Sequence, residues 1–206
     1  LRARIANPAI RARLVKEMEE NMRRRGGAAS LLMTSTRVPG ILGKNLEEIA
    51  REKKVAPIEA AIEIILAGGS SVASFNMNEK DIRTFMVQDF VATGSDGSDG
   101  HPRKYGTFSK LLHEYVYTDH LLTIEQAVHR SSALAAGMMR IKDRGTLAAG
   151  TFADVIAFDP KTVADRSNYR EPTLLASGMK YVLVNGTVAI DDGKFAGVMA
   201  GRALRR

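Results

Sequence analysis

The sequence contains no cysteine and no tryptophan, and only 6% of its 206 residues are aromatic. Without cysteine the chain can form neither a disulfide framework nor a thiolate metal site, and it has no cysteine nucleophile. No apolar run approaches the roughly 18 residues of a membrane span, so we expect no membrane partner. The 45% of hydrophobic residues is ordinary for a folded protein and too high for a disordered one.

Histidine is also scarce. The four histidines are His101, His113, His120 and His129, so none lies in the first hundred residues. No two of them form a His-x-His or His-Glu-x-x-His motif, which are spacings that bind metals. We therefore expect His113, His120 and His129 to be ordinary surface or boundary residues, and the sequence offers no metal ligands.

Positive charge is concentrated near the start of the chain. Residues 1–60 carry 13 basic and 7 acidic side chains, and the rest is almost balanced. A basic patch attracts phosphate, but no aromatic residues interleave with this one and no nucleic-acid-binding module is recognisable. We interpret the run Arg23-Arg24-Arg25 as cations at the end of a solvated helix, where they oppose the helix dipole. We expect no nucleic-acid partner.

Hydrophobic periodicity and capping residues predict a mixed α/β chain. Asn7-Pro8, Asn45 and Pro57 begin helices, and a strand is expected over 30–34. A strand at 71–75, a helix after Asn78 and a buried strand at 90–94 are typical of a βαβ unit with parallel strands. Two more helices are predicted over 107–116 and 124–136, the second with a capping box.

The pattern changes after about residue 140. A strand is predicted over 153–160 and a hairpin over 180–190, with Asn185-Gly186 as a type I′ turn. An Asn-Gly pair between alternating apolar residues is the strongest short signal for a hairpin. The chain therefore passes from α/β to β structure.

The most informative segment runs from Thr93 to Phe108. The predicted strand delivers Asp96 at its carboxyl end, which is where ligands bind in parallel α/β folds. A glycine-rich loop follows and carries His101, Arg103 and Tyr105. An aspartate there can move a proton between a metal-bound water and a leaving group. On spacing alone, Ser-Asp-Gly as a simple turn remains the favoured alternative.

Family resemblance decides between these interpretations. The motif Thr-Gly-Ser-Asp-Gly at 93–97, followed by His-Pro-Arg-Lys-Tyr-Gly-Thr-Phe at 101–108, resembles the N-acyl-D-amino-acid deacylase (D-aminoacylase) family of the amidohydrolase superfamily. Residues 143–166 and 182–186 look like the C-terminal segment of that family, in the same order. Residues 7–14 resemble its helical insert.

The resemblance implies an α/β fold: the C-terminal portion of a (β/α)₈ metal-dependent hydrolase barrel with a helical insert, plus part of a small β-sandwich. Residues 1–140 would be the partial barrel, with insert helices over about 1–69, the last barrel strands over about 71–96 and closing helices to 136. Residues 141–206 would be the sandwich portion. A complete barrel takes about 250 residues, more than this chain has.

The resemblance also implies a reaction, the zinc-dependent hydrolysis of the amide bond in an N-acyl-D-amino acid. Asp96 matches the family's proton shuttle and is the expected catalytic residue. Arg103 is expected to bind the carboxylate of the substrate, with His101 and Tyr105 as further substrate-binding residues. Zinc is the implied cofactor, and a cytoplasmic location is expected.

The sequence departs from the family in its metal ligands. The N-terminal His-x-His pair, the bridging ligand and the later histidines of the family have no counterpart here. We therefore expect the chain to bind no catalytic zinc alone, and to need the remainder of the enzyme or another copy of itself. Two alternatives remain open: a truncated interaction module without catalysis, and an amidohydrolase that acts on cyclic amides.

Overall fold

A computed structural model describes residues 2–204, which form two compact units. The first unit runs to Asn78 and also includes Asp99–His101; the second comprises Glu79–Ser98 and the chain from Pro102 onward. None of the helices within these described residues is long and apolar enough to cross a membrane. The division into a partial barrel over residues 1–140 and a β-sandwich portion over 141–206 stays a prediction.

The first unit contains four helices and a small sheet. Its elements are α1 (Arg2–Ala6), α2 (Pro8–Arg24), β1 (Leu31–Thr36), α3 (Leu46–Lys53), α4 (Pro57–Leu66) and β2 (Ser70–Ser74). The predicted helix starts are confirmed. The Asn7 side chain accepts a hydrogen bond from the Ala9 amide at 3.1 Å, and Asn45 forms a reciprocal capping box with Glu48.

The core of the first unit lies between its sheet and two of its helices. Strands β1 and β2 pair antiparallel, with Leu31 opposite Ser74. Helices α3 and α4 bury Ile49 and Ala60 completely, because their apolar residues recur at helical spacing. The buried cluster consists of Leu31, Met33, Ile41, Leu46, Ile49, Ala50, Ala60 and Ile64.

The basic end of α2 is a solvated helix face. Arg23 and Arg24 both bind Glu20 at 2.8 Å, and all three side chains are exposed. Their hydrogen bonds lower the pKa of Glu20 to about 2. Glu20 carries one negative charge, so it offsets one of the two arginine charges that it binds.

The second unit contains helices followed by a four-stranded sheet. Its elements are α5 (Glu79–Met86), α6 (Arg103–Lys110), a π-helical segment (Leu111–Thr118), α7 (Ile124–Ser131), α8 (Ala133–Met138), β3 (Val155–Phe158), β4 (Met179–Val184), β5 (Thr187–Asp191) and β6 (Lys194–Phe195). The π-helical segment supplies most of the core, with Leu111, Leu112, Tyr115, Val116, Leu122, Ala127 and Val163 buried. The helix predicted over 124–136 is broken at Ser132, whose backbone is not helical.

The predicted βαβ unit does not form, and this part of the prediction was wrong. Strand β2 pairs antiparallel with β1, and residues 90–94 form no strand. A strand needs a hydrogen-bonded neighbour, and neither described sheet includes this stretch. Phe90, expected in a buried strand, is 69% exposed.

The β structure of the second half is confirmed. Strands β3, β4, β5 and β6 form one antiparallel sheet in that order. Asn185 and Gly186 have φ values of 52° and 79°, as a type I′ turn requires. The hairpin therefore follows from local sequence alone.

A partly buried ionic cluster connects that hairpin to the start of the sheet. Arg144, mostly buried, donates hydrogen bonds to Asp154 and Asn185, and its guanidinium lies 4.3 Å from the centre of the Phe152 ring. The backbone amide of Asn185 donates a hydrogen bond to the Asp154 carboxylate at 2.8 Å. Partial burial opposes ionisation of Asp154, but the bonds from Asn185 and Arg144 outweigh it and lower the pKa of the carboxyl.

We expect the substitution Gly178→Ala to destabilise the second unit strongly. Gly178 has a φ of +77°, and an added Cβ would lie 2.3 Å from the backbone nitrogen of Val163. Gly197 is the matched control, because its φ is +75° and an added Cβ would have no atom within 4 Å. Gly197→Ala should cost about 1–2 kcal/mol of unfolding free energy, and Gly178→Ala about 4 kcal/mol or more. Equal effects in urea unfolding would contradict this packing.

We expect Asp154→Asn to remove part of the pH dependence of stability. A carboxyl whose pKa is lowered by folding adds stability above its unfolded pKa of about 3.9, and loses it as the pH falls through the lower folded value. At pH 7 the variant should lose about 1 kcal/mol, since solvent screens a partly exposed pair. The difference from the unmodified chain should shrink below about pH 4. Asp192→Asn, on an exposed turn of the same sheet, should not reproduce this pattern.

Candidate functional site

Asp96 lies in an irregular stretch between α5 and α6. Its φ is 42°, in the left-handed region that aspartate and asparagine tolerate better than most residues. Its side chain is 87% exposed. The carboxylate is therefore delivered by a bent loop and not by the end of a parallel strand.

Asp96 and Arg103 are brought together as an ion pair. The Arg103 Nη2 atom lies 2.7 Å from the Oδ2 atom of Asp96. Arg103 is the first residue of α6, and seven positions separate it from Asp96. The structure thus joins the two residues that the motif singled out, in a contact that a guanidinium also offers to other carboxylates.

The start of α6 is held by a distant segment. The Ser167 hydroxyl donates a hydrogen bond to the carbonyl of Pro102 at 2.8 Å. Burial raises the pKa of Tyr169, and the nearby charges of Arg103 and Lys110 oppose that rise. Sequence analysis missed Ser167 and Tyr169, because more than sixty residues separate them from the motif and no local pattern marks them.

His101 and Tyr105 have different surroundings. His101 belongs to the first unit, together with Gly100, which precedes it. Gly100 lies against β1: an added Cβ would be 1.9 Å from the carbonyl oxygen of Thr34. Tyr105 lies in the first turn of α6, with the Lys104 ammonium 5.8 Å from the centre of its ring. Both remain predicted substrate-binding residues.

The second unit also pairs a histidine with a carboxylate. The His113 Nδ1 atom lies 3.3 Å from Asp165, and the histidine is half exposed. This is the surface environment expected for His113. The contact connects the π-helical segment to the stretch 165–169, which also contains Ser167, the residue that binds the carbonyl of Pro102 next to Arg103.

The residues present do not fit a zinc site. Across residues 2–204, no group of three or more histidine, aspartate, glutamate or cysteine side chains is placed to hold a metal ion. Zinc sites need three or four such donors. The Asp96 carboxylate contacts a cation of the protein, Arg103.

The sequence is similar to known amidohydrolases over most of its length. A profile described as "Amidohydrolase family" matches residues 4–190. An N-acyl-D-glutamate deacylase from Alcaligenes xylosoxydans xylosoxydans is 38% identical over 176 residues, which cover 84% of this chain and 35% of that protein. A D-aminoacylase from the same organism is 36% identical over 172 residues, covering 82% of this chain and 35% of the relative.

The fold is similar to solved structures of the same enzymes. A crystal structure of D-aminoacylase superposes with a TM-score of 0.79 at 34% identity, over 85% of this chain and 38% of that one. An N-acyl-D-glutamate deacylase from Bordetella bronchiseptica, complexed with zinc and a phosphonate mimic of the tetrahedral intermediate, gives 0.75 at 34% identity, over 87% of this chain and 39% of the other. The chain therefore spans little more than a third of the length of these relatives.

These similarities confirm the α/β fold class predicted from the motifs. The relatives are deacylases, which hydrolyse carbon–nitrogen bonds, and D-aminoacylase is described with a binuclear metal centre. The helices and antiparallel sheets of this chain fit part of such an enzyme. The chain belongs to the amidohydrolase family, among the D-aminoacylases and N-acyl-D-amino-acid deacylases.

Proposed function

We propose that this chain supplies two groups to an enzyme that hydrolyses the amide bond of N-acyl-D-amino acids. Asp96 is the group that moves the proton, and Arg103 binds the carboxylate of the substrate. The observation that carries the proposal is the 2.7 Å contact between them, inside the motif at 93–108. The deacylase relatives at 36–38% identity support the substrate class.

The ion pair suggests how substrate binding prepares Asp96. Arg103 presents several N–H groups in a planar fork that matches a carboxylate. An incoming substrate carboxylate therefore competes with Asp96 for the same guanidinium. Release from Arg103 leaves the Asp96 carboxylate available as a base beside the reacting amide.

Asp96 then acts first as a general base and afterwards as a general acid, with the same proton. It accepts a proton from the attacking water, and it donates that proton to the nitrogen of the departing amino acid. The acyl group leaves as a carboxylic acid, so the atoms of one water are divided between the two products. The described residues contain no group of three donors, so zinc, which the Bordetella relative binds, would need ligands from a further polypeptide segment.

A second candidate function is association without catalysis. Phe85 in α5 and Phe90 in the stretch 87–94, which has no strand partner in the described sheets, are both more than 60% exposed. Large exposed apolar side chains mark contact surfaces. A further polypeptide, either the rest of an enzyme or another copy of this chain, would cover them.

We expect the 206-residue chain by itself to be inactive. Incubated with zinc and an N-acetyl-D-amino acid, it should release no acetate above the rate of zinc alone, because the described residues hold no metal-ligand group. The matching L-isomer serves as a substrate control. Metal-dependent release of acetate from the D-isomer would show that the chain builds its own metal site, contrary to this expectation.

We expect Asp96→Asn to abolish catalysis while leaving binding intact. Asparagine tolerates the same left-handed backbone but cannot accept the proton, so kcat should fall by about 10²–10⁴. KM should stay unchanged or fall, because the neutral side chain no longer competes as an anion for Arg103. Arg103→Lys should instead raise KM, because lysine lacks the planar fork. Both variants are assayed, with zinc, in the longest polypeptide that the gene carrying this chain encodes.

Asp99→Asn is the matched control for that assay. It makes the same change of charge three residues further along the loop, and it should leave kcat within a factor of about three of the unmodified enzyme. A polypeptide that hydrolyses no N-acyl-D-amino acid would overturn the enzymatic function and favour association. Activity that survives Asp96→Asn would overturn the role of Asp96 alone.

A further inference from the structure

The stretch 87–94 leads directly to Asp96, yet no strand pairs with it in either described sheet. A backbone without such pairing needs other hydrogen-bond partners to keep one conformation. The amides of Val87, Gln88 and Val91 bond locally, to α5 or within the stretch. The hydrogen bonds from more distant parts of the chain come from the end of α7.

Arg130 binds the beginning of this stretch. It is 4% exposed, and its guanidinium donates to the carbonyls of Met86 and Gln88, the second at 3.2 Å. Met86 is the last residue of α5, where carbonyl groups have no partner within the helix. Gln88 lies two residues beyond it, and its carbonyl also accepts from the Val91 amide at 3.1 Å. One side chain therefore contacts both the end of the helix and the stretch that follows.

The backbone of the same residue binds the end of the stretch. The Thr93 amide donates to the carbonyl of Arg130 at 3.1 Å, and the Ser131 hydroxyl lies 3.0 Å from that of Thr93. Arg130 and Ser131 thus hold both ends of 87–93, and the second anchor is three residues before Asp96.

Burying this guanidinium is unfavourable. Desolvation lowers the pKa of Arg130, and Asp89 only partly offsets it. The Nε atom is buried and has no hydrogen-bond partner within residues 2–204. A buried cation without a tightly bound carboxylate generally reduces stability compared with an apolar side chain of similar size.

We propose that Arg130 is a positioning residue, which acts through the anchored stretch 87–93 to hold Asp96 beside Arg103. The catalytic consequence rests on the proposed function, but the anchoring does not. Arg103 is held separately, through the bond between Ser167 and Pro102. Loss of the Arg130 contacts therefore displaces Asp96 and leaves the carboxylate-binding group in place.

The anchoring is tested by amide hydrogen exchange on the 206-residue chain. Val91 and Thr93 both have hydrogen-bonded amides within the stretch and report on it. In Arg130→Lys, whose ammonium lacks the planar fork, their exchange should be at least about tenfold faster. The amide of Ala127, in the core of α7, should stay within about twofold and so exclude general unfolding.

Two further variants sharpen this test. Ser131→Ala removes only the hydroxyl contact and should accelerate Thr93 alone. Arg13→Lys, on the exposed face of α2, should change none of these amides. Unchanged exchange at Val91 and Thr93 in Arg130→Lys would overturn the anchoring, and so would equal acceleration of Ala127, because the role of Arg130 would then be general stability.

The effect on catalysis is measured in the same polypeptide used for the Asp96 variants. Arg130→Lys should lower kcat about tenfold and leave KM within about twofold. An unmodified enzyme that is active, together with a variant whose kcat is unchanged, would overturn the positioning role and leave the proposed function standing. An inactive unmodified enzyme would overturn the proposed function, and the exchange data would still decide whether Arg130 anchors the stretch.

Discussion

A backbone segment that has no strand beside it must find hydrogen-bond partners elsewhere, and this constraint governs the second unit. Residues 87–94 have strand-like sequence but no strand neighbour in the described sheets. Arg130 and Ser131 provide hydrogen-bond partners from outside the stretch. The Arg130 guanidinium donates to the carbonyls of Met86 and Gln88. The Arg130 carbonyl accepts from the Thr93 amide, and the Ser131 hydroxyl contacts that of Thr93. The position of Asp96, three residues beyond the last of these contacts, depends on them.

The second unit uses two largely buried arginines in different ways. Arg144 binds a carboxylate and a side-chain amide, and so fastens a hairpin to the start of its sheet. Arg130 binds carbonyl groups and fastens an irregular stretch. A guanidinium can do both, because its five donors lie in a rigid plane and can satisfy several acceptors at once.

The candidate site contains a short ion pair that is largely exposed to solvent. Asp96 and Arg103 are in contact although the Asp96 side chain is largely exposed, and the family relatives extend well beyond the part that this chain matches. An exposed ion pair contributes little to stability. The pair therefore adds little to folding, and the role proposed for it is in catalysis.

The sequence by itself determined the helix starts at Asn7 and Asn45, the Asn185-Gly186 hairpin and the presence of Asp96 and Arg103 in one motif. Each of these depends on residues within about ten positions of one another, where capping, turn geometry and spacing act directly. Only the tertiary structure decided that 90–94 is not a strand, that Arg130 binds the stretch before Asp96 and that Ser167 binds Pro102, next to Arg103. Those outcomes depend on which distant backbone and side-chain groups meet, and an apolar run of five residues cannot encode whether a neighbouring strand exists.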